Sequence, residues 1–241
     1  MNNAIIFAGG VGSRMRTHGL PKQFLVVFGK PIIVHTLEHF EHCGCIEHVV
    51  VVCKKEFIHR MRQLVEEFHF RKIYKIVEGG ETGQESIWNG LTEIYANFPT
   101  TNNIVIHDGV RPFISPELID ECVKVCEKEG NAVAASRAIE TVSVVKKNQI
   151  VDRIEKRENC FVLKAPQCFK FSDIYEAHLQ AKKLHQLDFI DSASMVKQLL
   201  NQELHIVECD KSNIKVTTPE DFYILRALFE SREVFQIMGV D

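Results

Sequence analysis

The sequence predicts an α/β protein, a Rossmann-like, mostly parallel sheet with helices on both faces and an extended β-arm. Three observations predict it. Short, continuous apolar runs, the form taken by strands buried on both faces, alternate with segments of helical periodicity about 10 to 15 residues long. The first run ends in a cluster of glycines, Ala8-Gly9-Gly10-Val11-Gly12, where a doubly wound sheet turns from strand to helix. One stretch, 139–163, breaks the alternation with β-branched and charged residues and no helical period.

Each element has its own warrant. Asn3 to Ala8 is an apolar run closed by Gly-Gly and is the first strand. Ile32 to Phe40 places apolar residues at helical spacing. HVVVVC, His48 to Cys53, is a second buried strand. Phe57 to Phe68 is helical in period, and Ile73 to Val77 is a third strand. Thr82-Gly-Gln-Glu85 has the form of a capping box, opening a helix through about Tyr95. Ile104 to His107 is a fourth strand, broken by Asp108-Gly109. Ser115-Pro116-Glu117 opens the next helix with proline in its first turn. Ala132 to Ala135 is a strand of small residues. Thr141 to Val145 and Ile150 to Ile154 read as extended strands outside the sheet. After Pro166 the pattern returns to helix, Ser172 to His185 and Ser192 to Leu200. Strands follow at His205 to Val207 and Ile214 to Val216, and Thr218-Pro219-Glu220-Asp221 begins a closing helix. No linker or repeat divides the chain, so residues 1–241 are expected to form one domain with 139–163 as a protruding arm.

Composition excludes several classes. The chain has 241 residues, 45% apolar and 25% charged, with a formal net charge of -3, ordinary for a globular protein. No broad basic field points to nucleic acid or to an anionic membrane. No apolar run approaches the roughly 18 residues of a membrane span. The first residues lack the basic and long apolar regions of a secretory signal. The eight cysteines form no CxxC pair and no zinc-like spacing. They read as free thiols in a reducing compartment, so a cytoplasmic location is expected.

Four motifs carry chemistry. Glycines beyond a parallel strand let backbone N–H groups close on phosphate oxygens. Here the loop also carries two cations, Arg14 and Lys22. It is neither GxGxxG, since Met15 stands where the third glycine belongs, nor a Walker loop, since no GK[ST] follows. Glu78-Gly79-Gly80-Glu81-Thr82 ends the third strand, with Ser86 one turn into the helix; a flat ligand or a plain turn fits it. His107-Asp108-Gly109-Val110-Arg111-Pro112 sets an acid at a strand C-terminus facing the same crevice, as a metal or hydroxyl ligand or as an Asx-turn. Asn213-Ile-Lys215-Val-Thr217 puts one lysine in an apolar strand, where it needs an anionic partner unless it is an exposed edge residue. His35, His39 and His42 share a predicted helix face. Metal ligation there is disfavoured, because ligands on one straight helix rarely converge and no carboxylate or cysteine completes them.

In order along the chain, AGGVGSRM, PKQF, the GGET…S turn, HDGVRPF and NIKVTTPED resemble the cytidylyltransferases that make CDP-polyols and CDP-methylerythritol. The resemblance implies that Ala8, Gly9, Gly10 and Gly12 wrap the CTP triphosphate. Arg14 and Lys22 would grip its phosphates and act in catalysis with Lys215, which reaches the acceptor phosphate. Gly80, Glu81 and Ser86 would hold the cytosine edge, with Asp108, Gly109 and Arg111 over the ribose and the acceptor. Thr141 and Arg157 would come from the arm, which in this family crosses to the second subunit of a homodimer. Mg²⁺ would be bound mainly through CTP phosphates, Asp108 being the one side chain that could touch it.

There are two departures. Ala165 stands before Pro166-Gln167 where the family often has Thr, and Gly109 stands where it often has Ala, a change expected to be benign if only the backbone is used. The expected reaction is attack of an acceptor phosphate on the α-phosphorus of CTP. Such a phosphate is already anionic near neutrality, with a second pKa of about 6, so no general base is required. HDGVRPF, with Val110 and Phe113, resembles the ribitol-type members, and Ala165 lacks a polar contact usual in the methylerythritol enzymes, so the resemblance implies D-ribitol 5-phosphate as acceptor, with 2-C-methyl-D-erythritol 4-phosphate the second reading. A dinucleotide-dependent oxidoreductase would need GxGxxG and an acid ending the second strand; that strand ends Val52-Cys53-Lys54.

Overall fold

The computed structural model describes residues 1–9, 21–186 and 188–238. Its eleven described strands and seven α-helices run in the order β1 (Asn2–Ala8), β2 (Val26–Val27), β3 (Lys30–Pro31), α1 (Ile32–His42), β4 (His48–Cys53), α2 (Ile58–Glu67), β5 (Ile73–Glu78), α3 (Gly83–Asn97), β6 (Asn103–Asp108), α4 (Pro116–Glu129), β7 (Asn131–Arg137), β8 (Ser143–Val145), β9 (Val151–Ile154), β10 (Phe161–Lys170), α5 (Phe171–Lys183), α6 (Ser192–Leu200), β11 (Ile206–Glu208) and α7 (Pro219–Met238). Among the described residues the main sheet has the order β11-β7-β10-β6-β1-β4-β5. β1, β4, β5 and β6 run parallel, as do β7 and β11, while β10 is antiparallel to both its neighbours.

Alternation along each strand builds the two apolar layers. Ala4, Ile6, Val49, Val51 and Val105 face α1, α2 and α4, whose Ile33, Leu37, Met61, Leu64 and Ile119 complete one core. Ile5, Val50, Val52, Ile104 and Ile106 face α3, α5 and α6, whose Leu91, Ile94, Ile174 and Met195 complete the other. Both faces of the central strands are therefore buried, which is why those strands read as unbroken apolar runs. Helix starts follow their local signals. Thr82 accepts from Glu85 N–H while the Glu85 side chain accepts from Thr82 N–H, the reciprocal capping box. Ser115 caps α4 with proline in its first turn, and Gly130 closes α4 at φ +95°.

Three expectations need correction. The arm extends less far than 139–163. β8 and β9 form their own antiparallel ribbon, but Phe161, Val162 and Leu163 already pair with β7. The segment read as leading straight to helix after Pro166 is instead β10, wedged between β7 and β6. A proline normally argues against a central strand because it cannot donate to the ladder; here the register with β7 shifts between Leu163 and Gln167, around Pro166. Finally, Ile214 to Val216 is not a strand. Val216 donates to the Val110 carbonyl at 3.0 Å, and Ile214 and Val216 pack in a third cluster with Val27, Ile32 and Leu225.

Candidate active site

The parallel strands β1, β4, β5 and β6 end on one side of the sheet, and their C-terminal loops enclose a cavity of about 600 Å³. Its floor is Phe7, Ala8 and Gly9 at the end of β1. Pro21 opens a single 3₁₀ turn, Lys22–Phe24. The Gln23 amide donates to the Ala8 carbonyl at 2.8 Å, buried. That bond ties the turn to the strand end and sets Lys22, itself buried, in the cavity wall.

The opposite wall is the β5–α3 turn. Gly79 N–H donates to the Cys53 carbonyl at 2.8 Å, and Gly80 N–H donates to Ser86 Oγ at 3.1 Å. The Ser86 hydroxyl in turn donates to the Thr82 carbonyl at 2.9 Å. A Cβ on Gly79 would lie 2.8 Å from Ser86 Oγ, and one on Gly80 would lie 2.3 Å from Glu85 Cβ. The glycine pair is thus required by close approach of the turn to its own helix. Gly80, Glu81 and Ser86 all line the cavity, Ser86 with its hydroxyl already shared between two backbone groups.

Asp108, at the end of β6, is the charged centre. Its Oδ1 lies 2.6 Å from Lys215 Nζ and its Oδ2 accepts from Arg111 Nε at 2.7 Å. Burial alone would raise the carboxyl's pKa, but the Lys215 and Arg111 charges outweigh burial and hold it below its ordinary value. Arg111 also donates to the Asn213 carbonyl at 3.1 Å, so one guanidinium fastens the 213–217 segment and delivers Lys215 to the crevice. The His107 ring behind it, fully buried, is pushed down to about 4 by burial and stays neutral. Both Asp108 oxygens are therefore occupied by cations, and among the described residues no three His, Cys, Asp or Glu side chains converge on a metal position. Among the described residues, the side chains here do not by themselves make a Mg²⁺ site.

A second cavity, about 350 Å³, adjoins the first, sharing Phe7, Gly83, Asp108 and Lys215. Arg111, Lys164, Ala165 and Gln167 line it, with Asp191 and Ser192 from the start of α6.

The predicted residues divide into four groups. Ala8, Gly9, Lys22, Gly80, Glu81, Ser86, Asp108, Arg111 and Lys215 converge on the paired cavities. Gly109 lies beneath them, its N–H donating to the Phe7 carbonyl. Gly10, Gly12 and Arg14 lie outside the described residues. Thr141 and Arg157 do not line these cavities; Arg157 borders a separate depression with Arg137 and Lys211. Two of the α1 histidines are structural, since His35 Nε2 bonds the Val27 carbonyl and His39 Nε2 the Pro112 carbonyl, while His42 is exposed at the helix end. The sequence reading missed Lys54, Lys164, Gln84, Asp191 and Ser192 as lining residues. Only Lys54, ending β4 as the glycines end β1, carried a positional signal.

Likeness to known proteins agrees with this geometry. The family model for IspD, 2-C-methyl-D-erythritol 4-phosphate cytidylyltransferase, matches residues 3–231. A ribitol-5-phosphate cytidylyltransferase of Streptococcus agalactiae is 46% identical over 241 residues, covering 100% of both chains. One of Vibrio parahaemolyticus is 39% identical over 99% of this chain and 100% of its own. A 2-C-methyl-D-erythritol 4-phosphate cytidylyltransferase of Clostridium acetobutylicum is 32% identical over 97% of this chain and 100% of its own. Among solved structures, the 4-diphosphocytidyl-2C-methyl-D-erythritol synthase of Anaerococcus prevotii superposes with a TM-score of 0.83 at 25% identity, covering 95% of this chain and 96% of that one. With a cation-lined crevice at the strand ends, a matching sheet and matches along nearly the whole length, the chain belongs to the IspD family of cytidylyltransferases.

Proposed function

We propose that this protein transfers CMP from CTP to D-ribitol 5-phosphate, forming CDP-ribitol and releasing pyrophosphate. An acceptor phosphate oxygen attacks the α-phosphorus, and the bond from that phosphorus to the oxygen bridging to the β-phosphorus breaks. The nucleophile needs no base, since a phosphate monoester has a second pKa of about 6. The obstacle is charge: a dianion must approach a polyanion, and negative charge grows on the leaving oxygen. Fixed, preorganised cations lower that barrier. Lys22 neutralises charge on the triphosphate in the first cavity, assisted by Arg14. Lys215, oriented by Asp108, holds the acceptor phosphate where the two cavities meet. Gly80, Glu81 and Ser86 present the β5–α3 turn to the cytosine. Mg²⁺ carried by CTP would supply further charge neutralisation, with Asp108 the one protein side chain here that could reach it.

The observation that carries the choice of acceptor is the 46% full-length identity to the Streptococcus agalactiae enzyme named for ribitol 5-phosphate. The family model's own description and the Clostridium relative favour methylerythritol 4-phosphate as the second reading. Ala165, buried in the second cavity's wall, offers no hydroxyl to either acceptor. We further infer a homodimer in the cytoplasm, with the β8–β9 ribbon of one subunit bringing Thr141 and Arg157 to its partner's acceptor. The exposed apolar residues Val145, Ile150, Val151 and Ile154 support it, because a lone two-stranded ribbon is marginal. The test is pyrophosphate release with CTP and a panel of polyol phosphates. The highest kcat/KM is expected with ribitol 5-phosphate. A tenfold preference for methylerythritol 4-phosphate would replace the acceptor, and no turnover with any polyol phosphate would reject the transferase reading.

A further inference from the structure

The second cavity has two chemically different parts. Where it meets the first it is ionic, with Asp108 and Lys215 shared and Arg111 bonded to Asp108. Beyond that contact lie Lys164, whose ammonium donates to the Asp210 and Lys211 carbonyls, and apolar side chains such as Ile87, Ile106 and Phe189. The polar groups left there are Gln84 on α3, Gln167 on β10, and Asp191 and Ser192 at the start of α6. Gln167 and Asp191 are locked together. The Gln167 amide donates to Asp191 Oδ2 at 2.9 Å and its oxygen accepts from Ala193 N–H at 3.0 Å. Asp191 Oδ1 caps α6 by accepting from Ser194 N–H at 2.7 Å.

Against this rigid frame, Gln84 Oε1 and Ser192 Oγ are buried with no hydrogen-bond partner, in side chains only 4% and 2% exposed. Buried polar side-chain atoms are normally paired, so each exception asks for an explanation. No hydrogen bond pins either oxygen, so both side chains can turn toward a ligand in the cavity they line. Gln84 Oε1 can only accept, Ser192 Oγ can donate and accept, and the carboxylate of Asp191 has accepting capacity left over. A hydroxyl group both donates and accepts, and a chain of hydroxyls satisfies such a set. A phosphate, which only accepts when ionised, does not suit Gln84 Oε1 or the Asp191 carboxylate and pairs instead with the cations.

We propose that Gln84 and Ser192, framed by Asp191, bind the hydroxyl-bearing carbon chain of the acceptor and select it by its hydroxyl pattern, while Arg111 and Lys215 take its phosphate. This rests on the transferase reading above. A site that hydrogen-bonds a substrate hydroxyl discriminates strongly against analogues lacking it, because its polar groups are then left unpaired.

The experiment compares Ser192→Ala and Gln84→Leu with the wild type, using CTP with ribitol 5-phosphate and with glycerol 3-phosphate, a shorter acceptor with fewer hydroxyls. CTP binding by calorimetry reports whether each variant is folded. The expected result is a 10- to 100-fold loss of kcat/KM for ribitol 5-phosphate, mainly in its KM, with CTP affinity changed less than twofold. The preference for ribitol 5-phosphate over glycerol 3-phosphate should shrink by at least tenfold. Equal losses for both acceptors, or unchanged kinetics in either folded variant, would overturn the proposal while leaving the transferase reading intact. A wild type that uses no polyol phosphate with CTP would overturn both. Should Gln84→Leu fail to bind CTP, Ser192→Ala decides alone.

Discussion

At the scale of single residues, position matters more than type. Lys22 is one of 29 Lys and Arg residues, but it is buried at the cavity wall and its turn is tied to the end of β1 through Gln23. A preorganised cation of this kind is worth about 3 kcal/mol of transition-state stabilisation. Lys22→Ala should therefore lower kcat roughly 100-fold with an unchanged circular dichroism spectrum; a near wild-type kcat would remove Lys22 from the mechanism. Gly109 makes the opposite point. The sequence reading expects glycine in place of the family's frequent alanine to be benign if only the backbone is used; the reverse change is not, since a Cβ would lie 2.6 Å from Ile33 Cδ1 and 3.1 Å from Ala8 Cβ, and Ile33 is fully buried. Gly109→Ala should cost about 1 to 3 kcal/mol through overpacking. The drop would show in the urea midpoint at constant m-value, and an unchanged midpoint would mean that Ile33 yields freely.

At the scale of elements, the parts that were legible in the sequence are those whose local signals agree with their tertiary environment. β4 reads as HVVVVC because both its faces are buried, and α3 and α4 begin where Thr82 and Ser115 cap them. β10 was hidden because Pro166 contradicts a central strand, and its place beside β6 is a non-local pairing that no local pattern encodes. Lys215 was legible as a lysine needing an acid, but its setting was not, because the 213–217 segment is held by Arg111 and Val110 rather than by a strand ladder. Ser192 read as a helix start and nothing more, and Asp191 before it carried no reading. Helix α5 hides a further feature that no local pattern reveals. His178 is fully buried against Trp88, with neither ring nitrogen hydrogen-bonded. Burial pushes its pKa from 6.5 down to about 4, with Lys182 adding to the shift. The folded form then resists a proton that the unfolded chain accepts. Stability is retained above about pH 6.5 and falls as pH drops toward 4, with a slope of up to about 1.4 kcal/mol per unit. His178→Leu should raise stability at pH 7 by about 1 to 3 kcal/mol by removing unpaired polar atoms. Its advantage over wild type should widen in urea titrations between pH 6.5 and 4.5. A gap that stays constant with pH would mean that His178 is not held neutral.

At the scale of the whole molecule, the proposed dimer makes the β8–β9 ribbon the element that would join two chains in one site. Lys22 and Lys215 meet at the paired cavities within one chain. Arg157 lies by a different depression of the same chain, so an Arg157 acting on the acceptor must come from elsewhere. Val145, Ile150, Val151 and Ile154 are each more than half exposed on the ribbon, an apolar surface of the kind that marks an association site. An isologous dimer would cover it and exchange the two arms reciprocally. Arg157→Ala and Lys22→Ala homodimers should each be nearly inactive. In a mixed dimer, one site would receive Lys22 from one subunit and Arg157 from the other and be intact, while the second site would lack both. Random exchange of equal amounts makes about half the dimers mixed, each with one working site of two, so activity should return to about a quarter of wild type. If Arg157 acted in its own chain, every site in the mixture would still lack one of the two residues and activity would stay near zero. Native mass spectrometry on the same mixture shows whether subunits have exchanged, so absent activity alongside mixed dimers would rule out the shared site.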